Sequence, residues 1–206
     1  MMRVFLGGEG VDELGRFAHA PAYAVESVRG REVSKEPGIL EALVERLKKH
    51  PVELVGGLTW RRIPKGRRVV GIGPAEVRNV VGLVTDAQGA GCDAVVFVRD
   101  RDGDERREAD IEDGIRVARE RFPDMRIVGG SAVEEIEAWL LAMLGERKSE
   151  SLKHPKEELR ERRGVVNRHD KTRIVQEARF DHLPDDAGSL HRWIDRFRSV
   201  SEQTIS

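Results

Sequence analysis

The chain has 206 residues, with 36 Lys and Arg against 37 Asp and Glu, a formal net charge of −1, 39% hydrophobic residues and 35% charged residues. That balance predicts a packed core beneath a heavily charged surface. It excludes a globally basic nucleic-acid-binding protein and leaves only local basic patches.

The predicted elements alternate between strand and helix. Arg3–Leu6 reads as a short strand and Gly7-Gly8-Glu9-Gly10 as a tight turn. A short helix is expected over Asp12–Ala20, with Asp12 as its capping candidate. Residues 21–73 break the alternation and read as an insertion or irregular sheet edge. They hold a helix from Pro37 to Lys49 and strands near Val52–Val55 and Arg68–Ile72. Regular order returns with a helix opened by Pro74, a strand over Asp93–Val98 and an acid-started helix from about Glu105 to Arg121. A strand over Met125–Gly129 follows. Ser131, with Glu134 three residues on, predicts a capping box for a helix carrying Ile136, Trp139, Leu140, Met143 and Leu144. Residues 1–145 thus form an α/β domain, and the polar, helix-rich residues 146–206 a C-terminal helical extension.

The single Cys92 precludes an internal disulfide and fits a reducing compartment. Cys92 is expected to be a buried small residue rather than a nucleophile. No stretch approaches the ~20 apolar residues needed to span a bilayer. The opening Met1-Met-Arg-Val-Phe-Leu-Gly7 holds no apolar signal segment. A cytoplasmic location with no membrane association is expected.

The chemistry gathers at Asp93-Ala-Val-Val-Phe-Val-Arg-Asp100-Arg-Asp102-Gly-Asp104, an apolar strand that ends in acids at every second position. Open α/β sheets place their sites at the carboxyl ends of strands. Clustered carboxylates without local neutralisation repel one another and favour a hard cation such as Mg²⁺. Asp104 is assigned to capping the next helix. Glu9 follows the first strand between glycines, and Glu137 lies in Ile136-Glu-Ala-Trp-Leu-Leu141.

A Glu flanked by Gly after the first strand, joined to an Asp-x-Asp after a later one, resembles the TOPRIM domain of topoisomerases, primases and OLD-type nucleases. The Ser131–Leu141 segment resembles the Glu-x-Trp helix of RloB-like and related small bacterial TOPRIM proteins, many encoded near defence systems. The resemblance covers about residues 3–145, with 21–73 poorly matched. It implies a TOPRIM-like, mostly parallel sheet flanked by helices, and a Mg²⁺- or Mn²⁺-dependent nuclease acting on DNA or RNA phosphodiesters, in a setting of anti-phage defence and with a possible partner ATPase. Carried over, Glu9 is the general acid/base and a further metal contact, Asp100 and Asp102 are the metal ligands, and Glu137 is another ligand or orients water. Arg99 and Arg101 bracket Asp100 and either hold a phosphate or neutralise the carboxylates.

A second constellation is Thr59-Trp60-Arg61-Arg62-Ile-Pro-Lys65-Gly-Arg67-Arg68, which has five basic residues and no acid. It suits a nucleic-acid backbone, with Trp60 either stacking on a base or tucked into the core. In Arg168-His-Asp-Lys171-Thr-Arg173, Lys171 and His169 can reach the site from the extension, but a solvated helix start is the simpler reading. An EF-hand fails on spacing, because Glu105 and Ile111 stand where Gly and Glu belong. A P-loop fails for want of its Lys-Ser/Thr ending. The Asp-x-Asp-Gly string leaves a haloacid-dehalogenase-like phosphatase as an alternative, with Asp100 as nucleophile. A catalytically inactive TOPRIM-like partner or sensor module is the non-enzymatic alternative.

Overall fold

Successive strand side chains point to opposite faces, so a strand covered on both sides must be apolar throughout. The third strand obeys this rule, and the first departs from it only at Arg3, near its start, which pairs with Glu53. The structure, a computed structural model, describes residues 1–18, 36–64 and 73–202. Its main sheet has four strands, β1 (Met2–Gly8), β2 (Val52–Thr59), β3 (Ala94–Phe97) and β5 (Arg126–Val128), in the order β2-β1-β3-β5. All pairings are parallel, with Val4 opposite Ala94 and Leu54, and Val95 opposite Ile127. Val4, Leu6, Val96 and Val128 face one core; Phe5, Val95, Phe97 and Ile127 face the other.

Helices cover both faces. α3 (Ala75–Gly89) and α4 (Glu105–Arg121) pack on the Phe5–Phe97 side through Val80, Val84, Ile111 and Ile115. On the opposite side lie α1 (Val11–Leu14), α2 (Ile39–Leu47), α5 (Ile136–Met143), α7 (Arg168–Glu177) and α8 (Gly188–Glu202). α6 (Pro155–Arg163) adds Leu159 to the same core. The C-terminal helices therefore complete the core. Trp193 on α8 lies 5.8 Å from Trp139 on α5, and its indole N–H donates to the carbonyl of Phe97 at 2.9 Å. Burial of one such aromatic is worth several kcal/mol. Among the described residues no helix is long and apolar enough to cross a membrane.

Several expectations change. The described part of residues 21–73 is not an insertion: it holds α2 and the edge strand β2, whose parallel pairing with β1 shifts by one residue between Val4 and Phe5, an irregular sheet edge as expected. The strand expected at Arg68–Ile72 lies outside the described residues. Asp12–Ala20 is not one helix, because α1 ends at Leu14 and a 3₁₀ turn takes Gly15–Ala18. Gly10, not Asp12, holds the position before α1. Ser131 caps nothing. It lies in β6 (Ser131–Ala132), which pairs with β4 (Arg99–Asp100), and α5 starts five residues later. Asp104 does cap α4, accepting from the N–H of Arg106 at 3.0 Å. Cys92 is buried, and burial pushes its thiol up to about 11, so it is an inert core residue.

Candidate functional site

The site opens where β3 parts from β1. The N–H of Val98 donates to Gly7, the last such bond to β1. From Arg99 onward the chain bonds instead to the segment after β5: Arg99 N–H to Gly130, Arg101 N–H to Ala132 and Asp102 N–H to Glu134. The Asp100 N–H faces the opened side and donates to Glu9 Oε1 at 3.1 Å. The sheet seam is thus bridged by a side chain where a strand would otherwise pair.

Around this seam is a cleft of about 340 Å³ lined by Glu9, Asp12, Glu13, Asp100, Asp102, Glu135 and Glu137, with Lys156 at its edge. Glu9, Asp100 and Asp102 are brought together as expected, and so is Glu137. Glu137, on the first turn of α5, is only 5% exposed. Burial, reinforced by Glu13, Glu137 and Asp102, pushes the Asp100 carboxyl up to about 8. Asp100 Oδ1 also accepts from the N–H of Ile136 at 2.9 Å, so Asp100 sits on the N-terminus of α5. The partial positive charge there favours a carboxylate.

Glu13 and Lys171 take larger parts in the site than the motifs assign them, and Asp12 and Glu135 join its lining. Glu13 is 7% exposed, and its carboxylate accepts from the Gly10 N–H at 2.6 Å. Burial raises its pKa, with Asp12 and Glu137 adding to the shift. A Cβ on Gly8 would come within 2.7 Å of the Cβ of Glu13, so glycine there is what lets Glu13 pack beneath the turn. Lys171 is not part of a solvated helix start. It is 4% exposed, and its Nζ donates to Glu137 at 2.7 Å and to Asp12 at 2.5 Å. Burial opposes its charge, but Glu137 and Asp12 outweigh that and raise its pKa. His169 is exposed.

The flanking arginines divide. Arg101 turns to Glu134 and Glu108. Arg99 pairs with Glu9 and Glu76, and Arg107 with Asp102 and Glu76. Burial, then the neighbouring Arg107, lowers the pKa of Arg99. Asp102 has φ 49° and Glu134 φ 61°, so both loops that meet at the cleft carry left-handed residues. Such residues cost energy and cluster at functional sites. Among the described residues no three or more His, Cys, Asp and Glu side chains are already grouped as a metal-holding set.

The basic segment is only partly as expected. Trp60 is 6% exposed, packs 5.7 Å from Phe97 and donates to Glu76 at 2.6 Å. It is a core residue and offers no free face for a base. Arg61 and Arg62 are exposed, and Lys65, Arg67 and Arg68 lie outside the described residues.

No family model matches this chain, and neither a curated protein nor a solved structure matches it.

Proposed function

We propose that the cleft binds Mg²⁺ or Mn²⁺ and that the protein cleaves nucleic-acid phosphodiesters. The observation that carries this reading is the convergence of seven carboxylates on one cleft at the carboxyl ends of β1 and β3. The donor set is all oxygen, which suits a hard divalent cation. Burial first, and then the neighbouring acids Glu13, Glu137 and Asp102, disfavour the charged form of Asp100, and a bound cation would favour it.

Glu9, Asp100 and Asp102 would hold the cation, with Glu13 and Glu137 beside them. A divalent cation, when bound, supplies Lewis-acid charge to a phosphoryl group. The chain supplies the rest. The N-terminus of α5 orients Asp100 through the Ile136 N–H. Lys171 neutralises Glu137 and fixes it against the wall of the cleft. Glu9 keeps the acid/base role that the TOPRIM resemblance implies. Arg61 and Arg62 are exposed and suit the nucleic-acid backbone. The cytoplasmic location, the defence setting and the partner ATPase rest on the sequence reading alone.

One observation favours a second reading, a catalytically silent module: Glu9, Asp102 and Glu137 are each already paired with a cationic side chain. Degradation of plasmid DNA and of RNA in Mn²⁺ separates the two. The nuclease reading expects activity in the wild type and its loss in Asp100→Ala and Glu9→Gln. Equal degradation by all three proteins, or none by the wild type alongside tight Mn²⁺ binding, would end that reading.

A further inference from the structure

Glu76, on α3, does not line the cleft, and its side chain is 15% exposed. Its carboxylate gathers four donors. Oε2 accepts from Trp60 Nε1 at 2.6 Å and from Asn79 Nδ2 at 3.1 Å. Oε1 faces the Nε atoms of Arg99 and Arg107 at 3.3 and 3.4 Å. A carboxylate offers about four lone-pair sites, so Glu76 is saturated.

Both arginines are thus gripped by the inner nitrogen, and both reach on to a carboxylate of the cleft. Arg99 Nη1 pairs with Glu9; Arg107 Nη1 pairs with Asp102 at 2.6 Å. Arg107 Nη1 also donates to the carbonyls of Asp100 and Arg101, at 2.9 and 3.0 Å. The charges balance only through the cleft: two guanidiniums share a single negative charge at Glu76. Were Glu9 and Asp102 taken by another cation, two planar donor groups would stand beside it, held by Glu76 and short of an anion. A guanidinium in that state is suited to phosphate.

We propose that Glu76 is a positioning residue that holds Arg99 and Arg107 as a two-pronged phosphate clamp, and that a divalent cation taking Glu9 and Asp102 frees the clamp for a phosphate of the substrate. The proposal rests on the reading of the cleft as a metal-dependent phosphodiesterase. It makes the arginines competitors of the metal before substrate arrives and partners of the substrate afterwards.

The test measures two affinities in the full chain: Mn²⁺ alone by calorimetry, and a phosphorothioate oligonucleotide, as DNA and as RNA, in saturating Mn²⁺. Arg107→Gln and Arg99→Gln are expected to bind Mn²⁺ about fivefold more tightly, because an ion pair no longer has to open. They are expected to bind the oligonucleotide about tenfold more weakly. Glu76→Gln is expected to weaken Mn²⁺ binding by a similar factor of about five, as the released guanidiniums turn wholly to Glu9 and Asp102. If Glu76→Gln lowers only the melting temperature and moves neither affinity, Glu76 is a structural anchor and the proposal fails. If the wild type binds Mn²⁺ but both arginine variants keep wild-type affinities, the clamp alone is overturned. Absence of Mn²⁺ binding by the wild type overturns the clamp together with the metal reading. Arg99→Gln carries the test should Arg107→Gln fail to fold, because Arg107 also secures two backbone carbonyls.

Discussion

Lys171 Nζ lies 2.7 Å from Glu137 Oε1, and both side chains are almost fully buried. One comes from the polar C-terminal region and the other from the helix behind the acidic cleft, so this pair ties the last third of the chain to the site. Asp12 completes the arrangement from α1.

Removing Lys171 leaves a buried carboxylate without its counter-charge. Lys171→Met is expected to cost about 3 kcal/mol of unfolding free energy at neutral pH, within the range for breaking a buried pair. Urea denaturation checks this. The double variant Lys171→Met/Glu137→Leu is expected to recover most of the loss, since the unpaired charge is then gone. A double variant no more stable than the single one would show that the lysine acts through packing.

Asp100 sets a pH dependence whose sign follows from its raised pKa. In the folded chain its carboxyl titrates at about 8, against an ordinary value of 3.8. Between those values the folded state binds more protons than the unfolded state, so stability falls as pH rises. Glu13, also raised by burial, acts in the same direction. Without divalent cations, the melting temperature is expected to drop from about pH 4 towards pH 8, and less steeply in Asp100→Asn. Parallel curves for the two proteins would refute the assignment.

Divalent cation should reverse that loss. At about a hundredfold excess over Kd, a ligand adds about 2.7 kcal/mol, or roughly 5–10 °C for a chain of this size. Mn²⁺ is expected to give a rise of that order in the wild type, most of which is lost in Asp100→Asn and Glu9→Gln. Asp104→Asn should keep it, because Asp104 serves the N-terminus of α4. An equal loss in Asp104→Asn would mean a diffuse electrostatic effect in place of a site.

The three tryptophans, Trp60, Trp139 and Trp193, are all buried. Nucleic acid is therefore expected to leave their fluorescence nearly unquenched, while Trp60→Phe costs about 1 kcal/mol through the lost bond to Glu76. Strong quenching by an oligonucleotide that disappears in Trp60→Phe would restore Trp60 to the binding surface.

Much of this was legible in the sequence, for identifiable reasons. The apolar runs at Arg3–Leu6 and Asp93–Val98 announce buried strands and put Glu9 and Asp100 just past their ends; that the two strands are neighbours is seen only in the sheet order, because β2 stands between them in the chain. α4 is read with its boundaries and its cap because Asp104 and the acid-rich first turn are local signals. Glu13 was not assigned to the site, and Lys171 was seen as able to reach it but read more simply as part of a solvated helix start. Each is a charged residue on a short helix, and the choice between solvent and core depends on partners distant in the chain: Asp100 and Glu137 for Glu13, Asp12 and Glu137 for Lys171. Ser131 misled because a capping box is a local pattern, whereas β6 forms by pairing with β4, about thirty residues earlier in the chain. The full length of β2 was hidden by its glycines, Gly56 and Gly57, which follow the residue where its register with β1 shifts. Gly57 lies against Leu6 and Phe17, where a Cβ would come within 3.1 Å of both.

The parting of β3 from β1 divides the acids of the cleft between two backbone segments. Glu9 and Glu13 follow β1; Asp100, Asp102 and Glu137 lie on the segments that bond to one another beyond β5, namely β4, β6 and the start of α5. Acids that must share one cation are thus carried by two sides of a seam, fastened at Asp100 by a side-chain bond. Lys171 crosses the same seam, donating to Glu137 on one side and to Asp12 on the other, so buried charge and not backbone pairing joins the two halves of the acid set.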